Sequence, residues 1–308
     1  MIKPRSLVWD LFGDHLRYIG DGWIPMRALS SLLEVFGIGD NTTRVVLARM
    51  RRERWFDTHR NGRQSSYVLT ARGLATLDEG RSRIFARGAS TWDGLWRTVI
   101  YAVPEQNRSQ RDQLRKLLAW HGFGPLASAT WISPHPRLEV IAAALEEHSA
   151  GRFDLLESRA LDRGADREMA GRCWDLDGLA REYGGLLAEY ARLPPLADLA
   201  ALPGDEALRR QVELVASYRT LPFRDPDLPD ELLPADWPGH RVHGLFLAAH
   251  DALHGPADRF VREIVGAVHG ELQAPRLVPA ARGRPAMTPR IRRTPWAAGT
   301  SRRRTHRR

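Results

Sequence analysis

Two histidines four residues apart, His250 and His254, are the pair with the clearest catalytic potential in this sequence. On a helix this spacing places both imidazoles on one face, as in zinc hydrolases whose second motif residue is a glutamate that acts as general base. Here the second residue is Asp251, one methylene shorter, and the nearest further ligands, Glu263 and His269, follow at an unsuitable spacing. We therefore expect structural or surface histidines and no metal, with a metal-dependent hydrolase as the alternative.

Other signatures of catalysis and of export are missing from the sequence. It contains no Gly-rich phosphate loop and no Gly-x-Ser-x-Gly elbow. The single cysteine, Cys173, cannot form an internal disulfide, which fits a reducing compartment. Apolar runs stay far below the roughly 20 residues of a membrane helix, and the first residues include no apolar signal region. We expect a cytoplasmic protein that is not an enzyme, needs no cofactor and does not enter a membrane.

The net charge of +9 is unevenly distributed along the chain. Residues 1–90 hold 15 Lys and Arg against 9 Asp and Glu, and residues 282–308 hold ten Arg and no acid. The remaining central part is therefore net acidic. Clustered positive charge is the electrostatic mark of polyanion binding, so the two ends are the candidates for contact with nucleic acid.

The residues near the N-terminus are spaced as a helix, a tight turn and a second helix. The first helix of the chain begins at Pro4, a later helix carries apolar residues up to Phe36, and the glycines of 37–39 interrupt it. A third helix is predicted from about Asp40 to Arg54, with a polar and basic outer face that is typical of a helix-turn-helix recognition helix. The side chains expected on its outer face are Asn41, Thr42, Arg44, Val45, Ala48, Arg49 and Arg52.

Two strand-like runs, Trp55–Arg60 and Ser65–Leu69, follow this helix and are joined at Asn61-Gly62, a strong hairpin signal. A hairpin directly behind a recognition helix is a wing, so residues 1–88 are predicted to be a winged helix-turn-helix that binds double-stranded DNA. Asn41 and Arg44 suit base edges, whereas further side chains suit phosphates or the minor groove. These are Arg51, Arg60, Arg63 and Gln64.

The rest of the chain predicts an α+β protein with two further domains and a tail. Residues 91–170 alternate strand, helix, strand, helix and strand, an order that favours a ferredoxin-like sheet. Residues 171–272 follow helical periodicity with a proline-rich interruption, and residues 273–308 are rich in Pro, Gly and Arg, so we expect an α-helical domain followed by a disordered Arg-rich tail.

Several longer motifs resemble one family in the same order along the chain. They are Pro4-Arg5-Ser6-Leu7, Leu69-Thr70-Ala71-Arg72-Gly73, Trp92-Asp93-Gly94-Leu95-Trp96, Gly122-Phe123-Gly124-Pro125-Leu126, Trp131-Ile132-Ser133-Pro134, Cys173-Trp174-Asp175-Leu176 and the run from Phe223 to Gly239. Together they resemble the PaaX family of phenylacetic-acid degradation repressors. The resemblance implies a winged-helix domain, a middle domain similar to the Cas2 nuclease fold, a helical C-terminal domain, a homodimer, and a repressor of phenylacetate-type catabolism released by an acyl-CoA such as phenylacetyl-CoA.

The Cas2-like fold raises the alternative of a nucleic-acid-processing enzyme. Nucleases of that fold resemble one another in an acidic residue at the end of the first strand. Here that strand runs into Pro104, Glu105 lies beyond it, and no second acid is placed to hold magnesium. We therefore expect the middle domain to act as a spacer or dimerisation unit.

An acyl-CoA effector requires basic side chains for its phosphates and an apolar aromatic slot for its acyl group. The sequence candidates for such a site are Trp92, Trp96, Trp131, Arg172 and Trp174. Tryptophans are also common core residues, so each of these residues has an alternative structural role.

Overall fold

The computed structural model describes residues 2–61, 64–87, 91–146 and 151–271. Residues Met1–Glu271 form one compact unit in which helices and sheets are mixed, as the predicted α+β class requires. The expected tail, 273–308, lies outside the described residues. No helix within the described ranges is long and apolar enough to cross a membrane.

The N-terminal segment consists of four helices and a small sheet. Its elements are α1 (Pro4–Asp14), a 3₁₀ turn (Leu16–Tyr18), β1 (Ile24–Pro25), α2 (Met26–Glu34), α3 (Asp40–Arg52), β2 (Phe56–Asn61), β3 (Gln64–Leu69) and α4 (Ala71–Phe85). The strands are antiparallel in the order β1-β3-β2. Gly37 adopts a positive φ of 75° between α2 and α3, a conformation that glycine reaches without steric cost. The Thr70 side chain caps α4 by accepting a hydrogen bond from the Gly73 amide at 3.1 Å.

Three details of this segment differ from the sequence prediction. The hairpin connection is shifted by one residue, because Asn61 still pairs with Gln64 and is the last residue of β2. The helical spacing after Pro4 predicts that Leu7, Leu11, His15 and Tyr18 share one inner face, but Tyr18 is 50% exposed, since α1 ends at Asp14 and the 3₁₀ turn changes the helical phase. The recognition-like helix α3 ends at Arg52, two residues earlier than expected.

The middle segment is an antiparallel sheet covered by two helices. Its elements are β4 (Trp96–Ala102), a 3₁₀ turn (Glu105–Asn107), α5 (Arg108–Trp120), β5 (Gly124–Ala127), β6 (Thr130–Ser133), α6 (Leu138–Glu146) and β7 (Arg152–Ser158). The strand order β5-β6-β4-β7 is that of a ferredoxin-like sheet. Both helices pack on the face that carries Val99, Tyr101 and Trp131. The sequence predicts one strand over 127–133, whereas the structure has a hairpin of β5 and β6.

The C-terminal segment is helical, as expected, with more elements than the sequence predicts. They are α7 (Arg163–Cys173), α8 (Leu176–Tyr190), α9 (Leu196–Ala200), α10 (Gly204–Tyr218), a 3₁₀ turn (Asp230–Leu232) and α11 (Gly239–Glu271). Helices α7 and α9 were not expected. Helix α11 continues through Pro256, where the sequence favours two shorter helices. Its apolar face packs along α10, with the rings of Tyr218 and Phe246 stacked at 4.1 Å, and this burial offsets the backbone hydrogen bond that the proline removes.

Arg87, just beyond α4, connects the N-terminal segment to the C-terminal one through a largely buried network. Its guanidinium contacts Asp225 at 2.5 Å and Asp227 at 3.3 Å, and it donates to the hydroxyl of Tyr183. That hydroxyl donates in turn to Asp225 at 2.7 Å. Burial and the Asp225 carboxylate raise the pKa of Tyr183, so the hydroxyl remains a donor. The carboxylate of Asp225 is only 2% exposed and therefore depends on these partners.

We predict that Asp225→Ala lowers the free energy of unfolding by about 3–5 kcal/mol, because it removes the buried partner of the Arg87 guanidinium and leaves only the half-exposed Asp227 to pair with it. Tyr183→Phe, which removes one hydroxyl and keeps the ring, should cost about 1–2 kcal/mol. Urea denaturation followed by circular dichroism measures both. The matched control is Asp230→Ala, which removes an exposed acid paired with His240 and should change stability by less than about 1 kcal/mol. Equal stability of the Asp225 and Asp230 variants would contradict a stabilising role of the network.

Candidate nucleic-acid interface and ligand cleft

The outer face of α3 is exposed as the sequence predicts. Asn41, Thr42, Arg44, Val45 and Arg49 are exposed, and Ala48 is half-buried. On the opposite face, three side chains are buried against the rest of the segment: Thr43, Leu47 and Met50. Val45 is 67% exposed, so its methyl groups are accessible on this face.

The arginines of α3 fall into two groups according to their partners. Arg44 contacts Asp40 at 2.6 Å and Arg49 contacts Glu53 at 3.1 Å, both as i,i+4 pairs on the helix surface. Hydrogen bonds from Arg44 and from Ser30 hold the pKa of Asp40 below its ordinary value. Pairs this exposed contribute little to stability, so these arginines can exchange a carboxylate for a phosphate at low cost. Within the described ranges, no acidic side chain pairs with Arg51 or Arg52.

The hairpin places further polar groups beside this helix. Arg60 and Gln64 are exposed near the end of β2 and at the start of β3, and Arg63 lies outside the described residues. The structure adds two arginines that the sequence analysis missed, Arg54 and Arg72, which line one shallow groove together with Arg51.

One sequence signal was available for Arg72. It occupies the first turn of α4, where the helix dipole disfavours a cation, so the residue has no obvious stabilising role at that position. The structure places its guanidinium 4.1 Å from the ring centre of Trp55.

A cleft of about 550 Å³ lies where the three segments meet. Its walls come from the C-terminal half of α4, the end of α5, the start of β5, the start of α6 and the loop 222–227. Aromatic rings from the middle and C-terminal segments line it: Phe123, Trp131, Trp174 and Phe223. The indole nitrogen of Trp131 is buried and has no hydrogen-bond partner among the described residues. The cleft therefore combines an apolar surface with an unused hydrogen-bond donor.

Three positively charged or ionisable groups crowd one side of this cleft. Arg83 and Arg137 line it together with His121. Burial lowers the pKa values of Arg83 and His121, and the charge of Arg137 lowers both further. Among the described residues, Arg83 pairs with one carboxylate, that of Glu79 at 3.7 Å, and Arg137 pairs with none. Like charges that repel one another in a cleft favour the binding of an anion.

The sequence candidates for a ligand site do not all meet in this cleft. Trp131 and Trp174 line it, but Trp92, Trp96 and Arg172 do not. Trp96 is completely buried and donates to Asp166 at 2.8 Å, and Trp92 packs edge-on against it. Arg172 is exposed on α7. The basic side of the cleft was missed because its three groups are brought together only by packing between α4, α5 and α6.

The two enzymatic alternatives gain little from the geometry. His250 and His254 do share one face of α11, but both ring nitrogens lie against the buried amide of Gln211, at 3.0 and 3.3 Å. Glu105, at the position considered for a nuclease, is exposed and pairs with Arg111 at 2.8 Å. The geometry favours binding surfaces over a catalytic centre at either place.

Comparison with known proteins gives matches along almost the whole described chain. Three family models match in order: PaaX-like protein over residues 3–73, PaaX protein central Cas2-like domain over residues 89–170, and PaaX-like protein C-terminal domain over residues 174–263. The transcriptional repressor PaaX of Escherichia coli is 33% identical over 280 residues, which span 89% of this chain and 88% of that protein.

Among solved structures, the uncharacterised protein Rv0674 from Mycobacterium tuberculosis superimposes with a TM-score of 0.58 at 27% identity. The match covers 87% of this chain and 99% of that one. The order of the three family segments agrees with the order of the three structural segments described above. The chain belongs to the PaaX family.

Proposed function

We propose that this protein is a transcriptional repressor that binds double-stranded operator DNA through α3. In this proposal the N-terminal segment is a winged helix-turn-helix: α2 and α3 form the helix pair and the β2-β3 hairpin is the wing. The observation that carries the proposal is the exposed basic outer face of α3, beside a groove lined by further arginines. The similarity to a named transcriptional repressor supports it independently.

The contacts divide by chemistry. Asn41, Thr42, Arg44, Val45, Ala48 and Arg49 face the base edges of the major groove, where amide and guanidinium groups read adenine and guanine and an exposed methyl suits thymine. Arg51, Arg52, Arg60, Arg63 and Gln64 contact phosphates or the flanking minor groove. Arg54 and Arg72 extend the phosphate contacts through the groove they share with Arg51.

The proposed assembly is a homodimer on a two-fold-related operator, in the cytoplasm. Most oligomers of soluble proteins are closed by a two-fold axis, and two recognition helices then reach successive major grooves. The proposed division is a DNA-binding domain over 1–88, a ferredoxin-like domain over 91–170 that serves dimerisation, and a helical domain over 171–272. In this proposal the protein acts by binding DNA and a ligand and not as an enzyme, in keeping with its similarity to a named transcriptional repressor.

We further propose that the effector is an acyl-CoA and that it binds in the cleft between the three segments. Arg83 and Arg137 supply positive charge for the phosphates, His121 offers an imidazole N–H as a hydrogen-bond donor, and the aromatic rings supply an apolar slot for the acyl group. The free indole donor of Trp131 offers a hydrogen bond to the thioester carbonyl. Since α4 forms one wall of the cleft, a ligand that prefers a wider cleft shifts the N-terminal segment away from its DNA-binding arrangement.

The first prediction from this proposed function concerns α3. Arg44→Ala/Arg49→Ala should lower affinity for operator DNA at least about tenfold, since each lost base or phosphate contact costs about 1–3 kcal/mol. Each phosphate contact that is removed also makes the fall of log association constant with log salt concentration less steep, by about 0.9 in slope. Fluorescence anisotropy measures both, with a labelled duplex from the region upstream of the coding sequence and an unrelated duplex as competitor.

The matched control for α3 is Arg209→Ala/Arg210→Ala on α10, where two exposed arginines make the same i,i+4 pairs with Asp205 and Glu206. This control variant loses the same amount of positive charge, and its affinity for operator DNA should equal that of the unaltered protein. Equal loss in both double variants would show a response to net charge alone and would contradict α3 as the recognition helix.

The second prediction concerns the cleft. Arg137→Ala should weaken the binding of phenylacetyl-CoA about tenfold, because a charge-assisted hydrogen bond is worth about 1.5–3 kcal/mol. Isothermal titration calorimetry gives the affinity, with coenzyme A and phenylacetate titrated separately to divide the contribution between the two ends of the ligand. The thioester should also release the labelled duplex.

Arg172→Ala is the control for the cleft, since Arg172 is an exposed arginine outside it. A loss of thioester binding in Arg172→Ala without a loss in Arg137→Ala would place the effector at the sequence-predicted residues instead. No thioester binding by the unaltered protein would remove the acyl-CoA effector while leaving the DNA-binding proposal intact.

A further inference from the structure

A cluster of polar side chains lies deep between α1 and α11, away from both surfaces described above. His15, at the end of α1, is 1% exposed. Its Nδ1 lies 3.3 Å from Oδ1 of Asp258, and its ring is stacked on that of His254 with centres 5.1 Å apart. The nitrogen and oxygen ligand atoms of these three residues all lie within 4.8 Å of one another.

We propose that His15, His254 and Asp258 bind one divalent transition metal ion, such as Zn²⁺, that joins the proposed DNA-binding segment to the long C-terminal helix. Two histidines and a carboxylate are a characteristic zinc ligand set, and the fourth position is left to water. Ligands at about 2.1 Å from a tetrahedral ion are about 3.4 Å apart, so the present separations need to close by little more than 1 Å.

The spacing of the ligands along the chain suits such a site. His254 and Asp258 are one turn apart on α11 and share a face, and His15 reaches them from α1. A metal ion can reach these ligands from solvent, because His254 and Asp258 are only half-buried. The rings of His15 and His254 are parallel to within 7°, so coordination requires the half-buried His254 ring to rotate about χ2.

The groups around these residues form a second layer of support. Gln211 Oε1 lies 2.9 Å from Nε2 of His15, which orients that ring and leaves Nδ1 directed at Asp258. Arg262 donates to the other carboxylate oxygen of Asp258 at 2.6 Å. Burial acts to raise the pKa of Asp258, but Arg262 and His15 outweigh burial, so the pKa of this carboxyl is lowered. Burial lowers the pKa of His15.

The ligand set differs from the pair that the sequence suggests. His250 shares the face of His254, but its Nε2 is 3.1 Å from Asp14 and it packs edge-on against Phe85. The proposed site therefore depends on a residue more than 230 positions away in sequence, which no motif on α11 reveals. The role proposed for the ion is structural, fixing α1 and hence α3 relative to α11.

The test uses the full-length protein stripped of metal with EDTA. Equilibrium dialysis against ZnCl₂ should give one ion per chain, Co²⁺ should give a visible ligand-field spectrum, and zinc should raise the melting temperature by several degrees through preferential binding to the folded state. Asp258→Asn and His254→Ala should each weaken zinc binding at least about tenfold. Both positions are half-buried, so these variants are chosen over changes at the buried His15.

The matched control is His240→Ala, which removes an exposed histidine that also pairs with an aspartate, Asp230, at 2.8 Å. It should bind zinc as the unaltered protein does. Zinc binding that survives in the His254→Ala/Asp258→Asn double variant, or that depends on His250 and not on Asp258, would overturn the assignment. An absence of zinc binding would also overturn the assignment. In that case the oxygen and nitrogen of the Gln211 amide exchange places, and His15 Nδ1 donates a hydrogen bond to Asp258 without any metal.

Discussion

The charge of Arg87 is the constraint on which the arrangement of the three segments depends. Its side chain is 12% exposed, and a guanidinium in that position is tolerated only where carboxylates and hydroxyls surround it. The partners come from α8 and from the loop after α10, so the network forms only when the C-terminal segment is docked. Asp225 and Arg87 also line the cleft, and the geometry of the proposed ligand site therefore rests on the same ion pair.

The two proposed binding regions use positive charge in different ways. On α3 the arginines are exposed and paired weakly along the helix, so they are well solvated and available to a polyanion such as DNA. In the cleft, Arg83 and Arg137 are close enough to repel one another, Glu79 is the acidic partner of Arg83, and a bound anion would relieve the remaining repulsion. The first arrangement suits salt-dependent contact with a long polymer, and the second suits one small ligand.

Position in the fold connects these regions. Helix α4 follows the β2-β3 hairpin directly and also forms a wall of the cleft, while α1 packs on α3 and also contacts α11. A change in the cleft or at the His15 cluster can therefore bias how the N-terminal segment is held. Coupling of this kind requires a ligand that prefers one of two arrangements of the segments.

The sequence alone determined the elements and most of their faces. Periodicity located α2 and α3, assigned Thr43, Leu47 and Met50 to the inner face, and the Asn-Gly signal located the hairpin to within one residue. The alternation of strands and helices indicated the ferredoxin-like sheet, although β5 was missed because Gly124 and Pro125 carry weak strand preference. These features could be predicted because they depend on residues close together in the chain.

Tertiary structure decided which distant groups meet. The cleft gathers Arg83, His121 and Arg137 from three helical regions, the network of Arg87 spans about 140 residues, and His15 meets Asp258 across 243 positions. Packing also buried Trp96 and left Trp174 at a cleft wall, a difference that residue type cannot indicate. Burial and long-range charge pairing arise from how whole elements dock, whereas the periodicity of a single helix or strand records only which of its faces is apolar.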